Sequence, residues 1–248
     1  MKRVLCYTAL GAALASCAYD PPLAQVSFHV AFAGVDRDVT QPFTVTTPQG
    51  WSVTLTAALI SVGPLYFHNG QPSAGPDEDD GRVVAQVLAQ FTIDALNPGV
   101  GTIEHAGTGN NEPARTGEVR LVEANDGPIA DAAGAGMAVA HIAGVAVRGA
   151  VTIRFDGSLE LPMGATASGY ESWLQHRVSR IPTAFTPDEG GTLTLRADPT
   201  HWLDNVTFDA VGGTSPDFSS RSTTTQLLGQ IGSSNGVFLF TWSPPSHG

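Results

Sequence analysis

Apolar side chains recur at every second position in one stretch after another of this chain, and that period commits it to β-structure. From Val26 to Val35, residues Val26, Phe28, Val30 and Phe32 share one face while Ser27, His29, Ala31 and Ala33 share the other. This is the pattern of a strand with one buried side. Val83 to Ile93 repeats it, aligning Val83, Ala85, Val87, Ala89, Phe91 and Ile93. Val145 to Phe155 alternates as well, and Asp156-Gly157 leads from it to Leu159 and Leu161. Asp-Gly between alternating runs predicts a two-residue hairpin, because a type I′ turn needs positive φ at both central positions. Thr192 to Ala197, with Leu193 and Leu195 inward, and Val237 to Trp242, entered through Asn235-Gly236, add two more strands.

The composition points the same way. Charged residues make up 14% of the chain against 28 glycines and 17 prolines, which leaves little material for helices rich in Lys, Glu and Arg and much for turns. The expected fold is all-β, an antiparallel β-sandwich of roughly ten strands with one or two short helices, built as a single domain over residues 25–248. Phe43 to Thr47, Trp51 to Phe67 and Glu118 to Val122 supply further strands, and Gly63-Pro64 within the second marks an edge or a bulge. Asp198-Pro199 suits the N-cap and first position of a short helix, Thr200 to Asn205, and a second helix is expected over Thr223 to Ile231. Ala132 to Ala143 fits a buried strand or a small-residue helix, and Gly169 to Ile181 fits either period. Asn69 to Gly81 and Asn97 to Arg115 read as long loops rich in glycine, where sites commonly lie.

The amino terminus carries an address. Lys2-Arg3 precedes the apolar run Val4 to Ala13, which is about half the ~20 residues needed to span a bilayer and has the form of a secretory signal. The run ends in Leu14-Ala15-Ser16-Cys17, which resembles the lipobox of bacterial lipoproteins. That resemblance implies cleavage before Cys17 and a diacylated Cys17 as the first mature residue, with residues 1–16 as signal and residues 17–24, containing Pro21-Pro22, as a short lipidated tether. Cys6 leaves with the signal, so no thiol remains for a disulfide, a nucleophile or a metal. Two acyl chains, at ~0.8 kcal/mol per buried methylene, anchor the domain stably to the membrane. The implied location is the cell envelope. Ala18, standing where some lipoproteins carry an inner-membrane retention aspartate, favours the outer membrane. Loss of residues 1–16 removes Lys2 and Arg3 and no acid, so the formal charge moves from −11 to −13. Such a surface repels polyphosphate and excludes nucleic acid as a natural partner.

The candidate chemistry rests on seven histidines, at positions 29, 68, 105, 141, 176, 201 and 247. Imidazole binds copper and zinc, and without thiols its helpers would be carboxylates or Met137 and Met163. No two histidines stand at a ligand spacing, so a site must be assembled across strands. His29 and His68, near the mouths of loops, are the best placed. Asp198, His201 and Asp204 fall at i, i+3 and i+6, where an aspartate can orient a histidine. The plainer account has Asp198 capping, Trp202 packing inward and the other two facing water. Asp77-Glu78-Asp79-Asp80-Gly81 offers oxygens but not the register of a calcium loop. Gly232-Ser233-Ser234-Asn235-Gly236 matches G-x-S-x-G, yet it leads from a predicted helix into a strand, the reverse of a nucleophile elbow. With no nucleotide or thiol motif either, the reading is a non-catalytic protein that binds a ligand or partner. The alternative is a periplasmic copper or zinc handler using His29, His68, His201 and Asp198.

Two stretches, WSVTLTAALISVGPLYF (Trp51 to Phe67) and GGTLTLRADPTHWLDNVTFD (Gly190 to Asp209), resemble segments of uncharacterised bacterial lipoproteins and of β-rich periplasmic proteins associated with methanobactin and copper uptake. The resemblance implies a β-rich fold and a copper role. Related copper proteins use a W-x-H arrangement that does not occur here, where Trp202 directly follows His201. No ligand is therefore carried over.

Overall fold

The computed structural model describes residues 24–71, 81–124, 129, 137–161, 177–206, 208 and 237–246. These form twelve strands: β1 (Gln25–Ala33), β2 (Phe43–Thr46), β3 (Ser52–His68), β4 (Val83–Val87), β5 (Phe91–Asp94), β6 (Gly101–Asn110), β7 (Ala114–Leu121), β8 (Met137–Arg148), β9 (Val151–Leu161), β10 (Arg177–Phe185), β11 (Thr192–Ala197) and β12 (Phe238–Ser243). The fold is all-β. Its strands are joined in one sheet, in the order β10-β7-β3-β4-β6-β1-β11-β12, rather than in two separate ones. The sheet is mixed, because β1 and β11 run parallel.

β3 is the spine. Its seventeen residues are long enough to take several partners on each side. On one side Ser52–Leu55 pair with β2, Leu59–Val62 with β5 and Leu65–His68 with β4; on the other, Ser52–Ile60 pair with β8 and Val62–His68 with β7. The ladder changes partners around Gly63-Pro64, where proline has no N–H to give and the register to β7 shifts. The Val83–Ile93 stretch, expected as one strand, is broken at the same level into β4 and β5. A Cβ at Gly63 would strike the Ala89 carbonyl, so the kink in β3 and the break between β4 and β5 pack against each other.

The end strands meet. Phe185 on β10 stacks on Trp242 on β12 with ring centroids 5.0 Å apart, and Phe67 on β3 contacts Phe185 at 5.1 Å and Phe240 on β12 at 4.9 Å. The core is thus wrapped by a single curled sheet. A second aromatic group, Trp51, Phe155 and Phe208, fills the other end, and Trp202 lies fully buried nearby in the same core.

Three expectations give way. The hairpin joining β8 and β9 turns at Gly149-Ala150, with Gly149 at φ 59°, and Asp156-Gly157 lies inside β9 opposite Ala143 and Ile142. A turn at Asp156 would have forfeited most of that ladder and the seat of the Phe155 ring over Gly144. The segment Thr200 to Asn205 is a run of turns, not a helix. Asp198 caps it, accepting from the Thr200 N–H at 2.9 Å, but the chain does not continue helically. The expected loop Asn97 to Arg115 contains β6. Of the stretch Ala132 to Ala143, the described residues from Met137 onward belong to β8, and of Gly169 to Ile181, those from Arg177 onward belong to β10, both strands. The predicted helix Thr223 to Ile231 and the Gly232 to Gly236 match lie outside the described residues.

Candidate functional site

The pairing of β1 with β6 is interrupted at one place. Phe28 stands opposite Gly107 and Val30 opposite Ile103, so three residues of β6, Glu104, His105 and Ala106, face the single residue His29. A bulge of this kind bends a strand and re-aims side chains. His105 takes φ 52°, in the left-handed region that histidine visits only at some cost. The outcome is an imidazole pair: the His29 and His105 rings lie 4.7 Å apart, tilted by 55°. The backbone N–H of His105 donates to His29 Nδ1 at 3.4 Å, a long hydrogen bond. His29 is half-buried and His105 exposed.

A carboxylate is anchored two residues away on β1. Glu189, in the turn before β11, accepts from the Ser27 N–H and from the Ser27 hydroxyl, both at 2.8 Å. Those two bonds, the backbone one first, hold its carboxyl below the ordinary glutamate value of 4.5, and the nearby His105 and His29 act in the same direction. A depressed carboxylate pKa means that the clasp's contribution to stability is present above the unfolded-state value. It is lost as pH falls through the folded one. An NMR titration should place the Glu189 midpoint below 4.5, and Ser27→Ala should move it upward. An unmoved midpoint in that variant would remove the hydroxyl from the account.

The other predicted residues go elsewhere. His68, at the end of β3, donates from Nδ1 to the Gly81 carbonyl at 3.3 Å, and its Nε2 lies 4.0 Å from Glu118 on β7. Glu118, its side chain 4% exposed, is held by Arg120 at 3.0 Å and Arg177 at 3.3 Å. Arg120 also lies over the Tyr66 ring at 4.9 Å. This is a buried charge compensated by two guanidinium groups, the condition under which a carboxylate is tolerated inside a fold. His201 donates from Nδ1 to Asp204 at 2.8 Å with its ring largely in water, and Asp198 serves Thr200. The plainer reading of that segment therefore describes it: Asp198 caps, Trp202 packs and His201 points outward, although Asp204 rather than Asp198 is its partner. His29, His68, His201 and Asp198 do not form one ligand set, and no three His, Cys, Asp or Glu residues converge as a metal cage among the described residues.

Sequence reasoning counted His105 among the seven histidines without singling it out, and it missed Glu189 and Glu118. The signal for Glu118 was present, since it alternates with Arg120 on one face of a predicted strand. The second Asp–His pair, His141 with Asp156 at 2.8 Å, was hidden by the wrong hairpin. A cleft of about 570 Å³ opens beside Arg37, Phe43, Leu55, Leu59 and Asp94, and neither Asp–His pair lines it.

These features define an all-β protein with an imidazole pair set into a strand bulge. No family model, curated protein or solved structure matches the chain, and its function is argued from the residues themselves.

Proposed function

We propose that this chain is an envelope-anchored, non-catalytic lipoprotein: a β domain held at the membrane by lipid on Cys17, binding a ligand or partner. The observation that supports it most is a spacing. Only eight positions separate Cys17 from Gln25, the first residue of β1, so the tether spans at most about 29 Å. On this reading the end of the sheet where β1 begins lies close to the bilayer. A ligand bound there is held near the membrane surface, most simply the periplasmic or outer face of the outer membrane.

Replacing Cys17 with Ser tests the anchor. The expected result is loss of palmitate labelling, with the protein either in the soluble fraction or retaining its signal. Continued lipid labelling of that variant would overturn the reading. The copper- or zinc-handling alternative gains one specific support, the approach of His29 to His105.

A further inference from the structure

We propose that His29 and His105 together bind a divalent transition-metal ion, Cu²⁺ ahead of Zn²⁺, on the outer face of β1 and β6. The inference rests on the ligand-binding reading above and names the class of ligand.

Four observations carry it. The rings belong to strands that meet only in the fold, and they are brought to 4.7 Å by a bulge that sets three residues of β6 against one of β1. A plain ladder would satisfy more backbone bonds, so the irregularity costs pairing and its visible product is two adjacent imidazoles. His105 holds a left-handed backbone, φ 52°, in a chain with 28 glycines that could occupy such a position freely. The His105 backbone N–H donates to His29 Nδ1 at 3.4 Å, which leaves Nε2 as the His29 nitrogen for a metal. Ser27, two residues before His29 on β1, holds the Glu189 carboxylate through two hydrogen bonds of 2.8 Å, which fixes an acidic side chain on the same stretch of strand.

The donor set chooses the ion. Calcium and magnesium require several oxygen ligands and would leave imidazole nitrogen unused. Nitrogen donors suit copper, nickel and zinc, and the Irving–Williams order places Cu²⁺ above the others. Two protein ligands leave the remaining positions to water. Such a site exchanges its metal readily, as a carrier or sensor needs and a structural zinc does not.

The test uses the mature protein with Cys17→Ser, titrated with CuSO₄ and separately with ZnCl₂ in a non-chelating buffer. One Cu²⁺ per chain is expected with a dissociation constant on the order of micromolar, and nitrogen hyperfine structure from two imidazoles in the EPR spectrum. His29→Ala and His105→Ala should each weaken binding by about tenfold or more, while His68→Ala and His201→Ala leave it unchanged. Circular dichroism of each variant separates lost ligation from lost folding, and His105→Gly, which relaxes the left-handed backbone while removing the ring, must also lose the metal. Retention of Cu²⁺ by His105→Gly, or no binding by the parent at micromolar concentration, overturns the site. Neither outcome touches the anchor, which is read by lipid labelling alone.

Discussion

Phe67→Ala is expected to lower the free energy of unfolding by about 3–5 kcal/mol, the range for removing a fully enclosed aromatic ring. Phe67 is entirely buried on the spine strand β3. Its ring meets Phe185 on β10 and Phe240 on β12 edge to face, at 5.1 Å and 4.9 Å. Edge-to-face pairs contribute about 0.5–1.5 kcal/mol each beyond the area they bury. More important is where the ring lies: β10 and β12 are the two ends of the strand order, and Phe67, like Phe28, touches aromatic rings on both. Deleting it leaves a cavity at the seam where the curled sheet meets itself. The melting temperature should fall by roughly 6–20 °C, given about 2–4 °C per kcal/mol for a chain of this size. Phe67→Leu, which keeps most of the volume, should cost far less. A loss under about 1 kcal/mol in Phe67→Ala would mean that the ends of the sheet are held together by something other than this aromatic junction.

The strands that declare themselves in the sequence are those whose own side chains do the burying. β1, β11 and β12 alternate large apolar residues with polar ones, and their observed limits lie close to the expected ones. Trp202 could likewise be placed inside from its setting alone. β6 could not be read this way. Its inward positions include Gly101 and Gly107, and the rings that cover them, Phe32 and Phe28, belong to β1. A strand whose burial is supplied by its neighbour has no period of its own, so it passes for a loop. His105 was lost with it: a histidine in an expected loop has no predicted partner, and the approach to His29 exists only once β1 and β6 are paired. The hairpin between β8 and β9 failed for a related reason. Asp-Gly is a strong local turn signal, but the ladder from Met137 to Leu161 is a property of both strands together, and the longer pairing prevails over the two-residue preference. Asp156 then becomes a cross-strand partner for His141 instead of a turn residue. The Glu118 cluster draws on three strands, β3, β7 and β10: the spacing within β7 shows Glu118 beside Arg120, but only the pairing of the strands brings in His68 and Arg177.

Gly107→Ala is expected to destabilise the fold, and it connects the core to the histidine pair. A Cβ at position 107 would fall inside the space occupied by the Phe28 ring. The ring has little room to retreat: Phe28 is fully buried and packs edge to face on Trp242 at 5.5 Å and Phe185 at 6.5 Å. Forcing a methyl into such a site costs about 1–3 kcal/mol. Gly107 is opposite Phe28 at the last regular pair before the bulge, so relief by moving β6 outward also separates His105 from His29. Two effects are therefore expected together, a lower unfolding midpoint in urea and weaker Cu²⁺ binding. Phe28→Leu in the Gly107→Ala background should recover part of both, because the smaller side chain vacates the space the methyl needs. The recovery appears as a coupling energy of about 0.5 kcal/mol or more in the double-mutant cycle. Strict additivity of the two substitutions would show that Phe28 does not rest on the Gly107 backbone. Coupled stability with unchanged metal affinity would show that the bulge holds the imidazoles together independently of the packing beneath it.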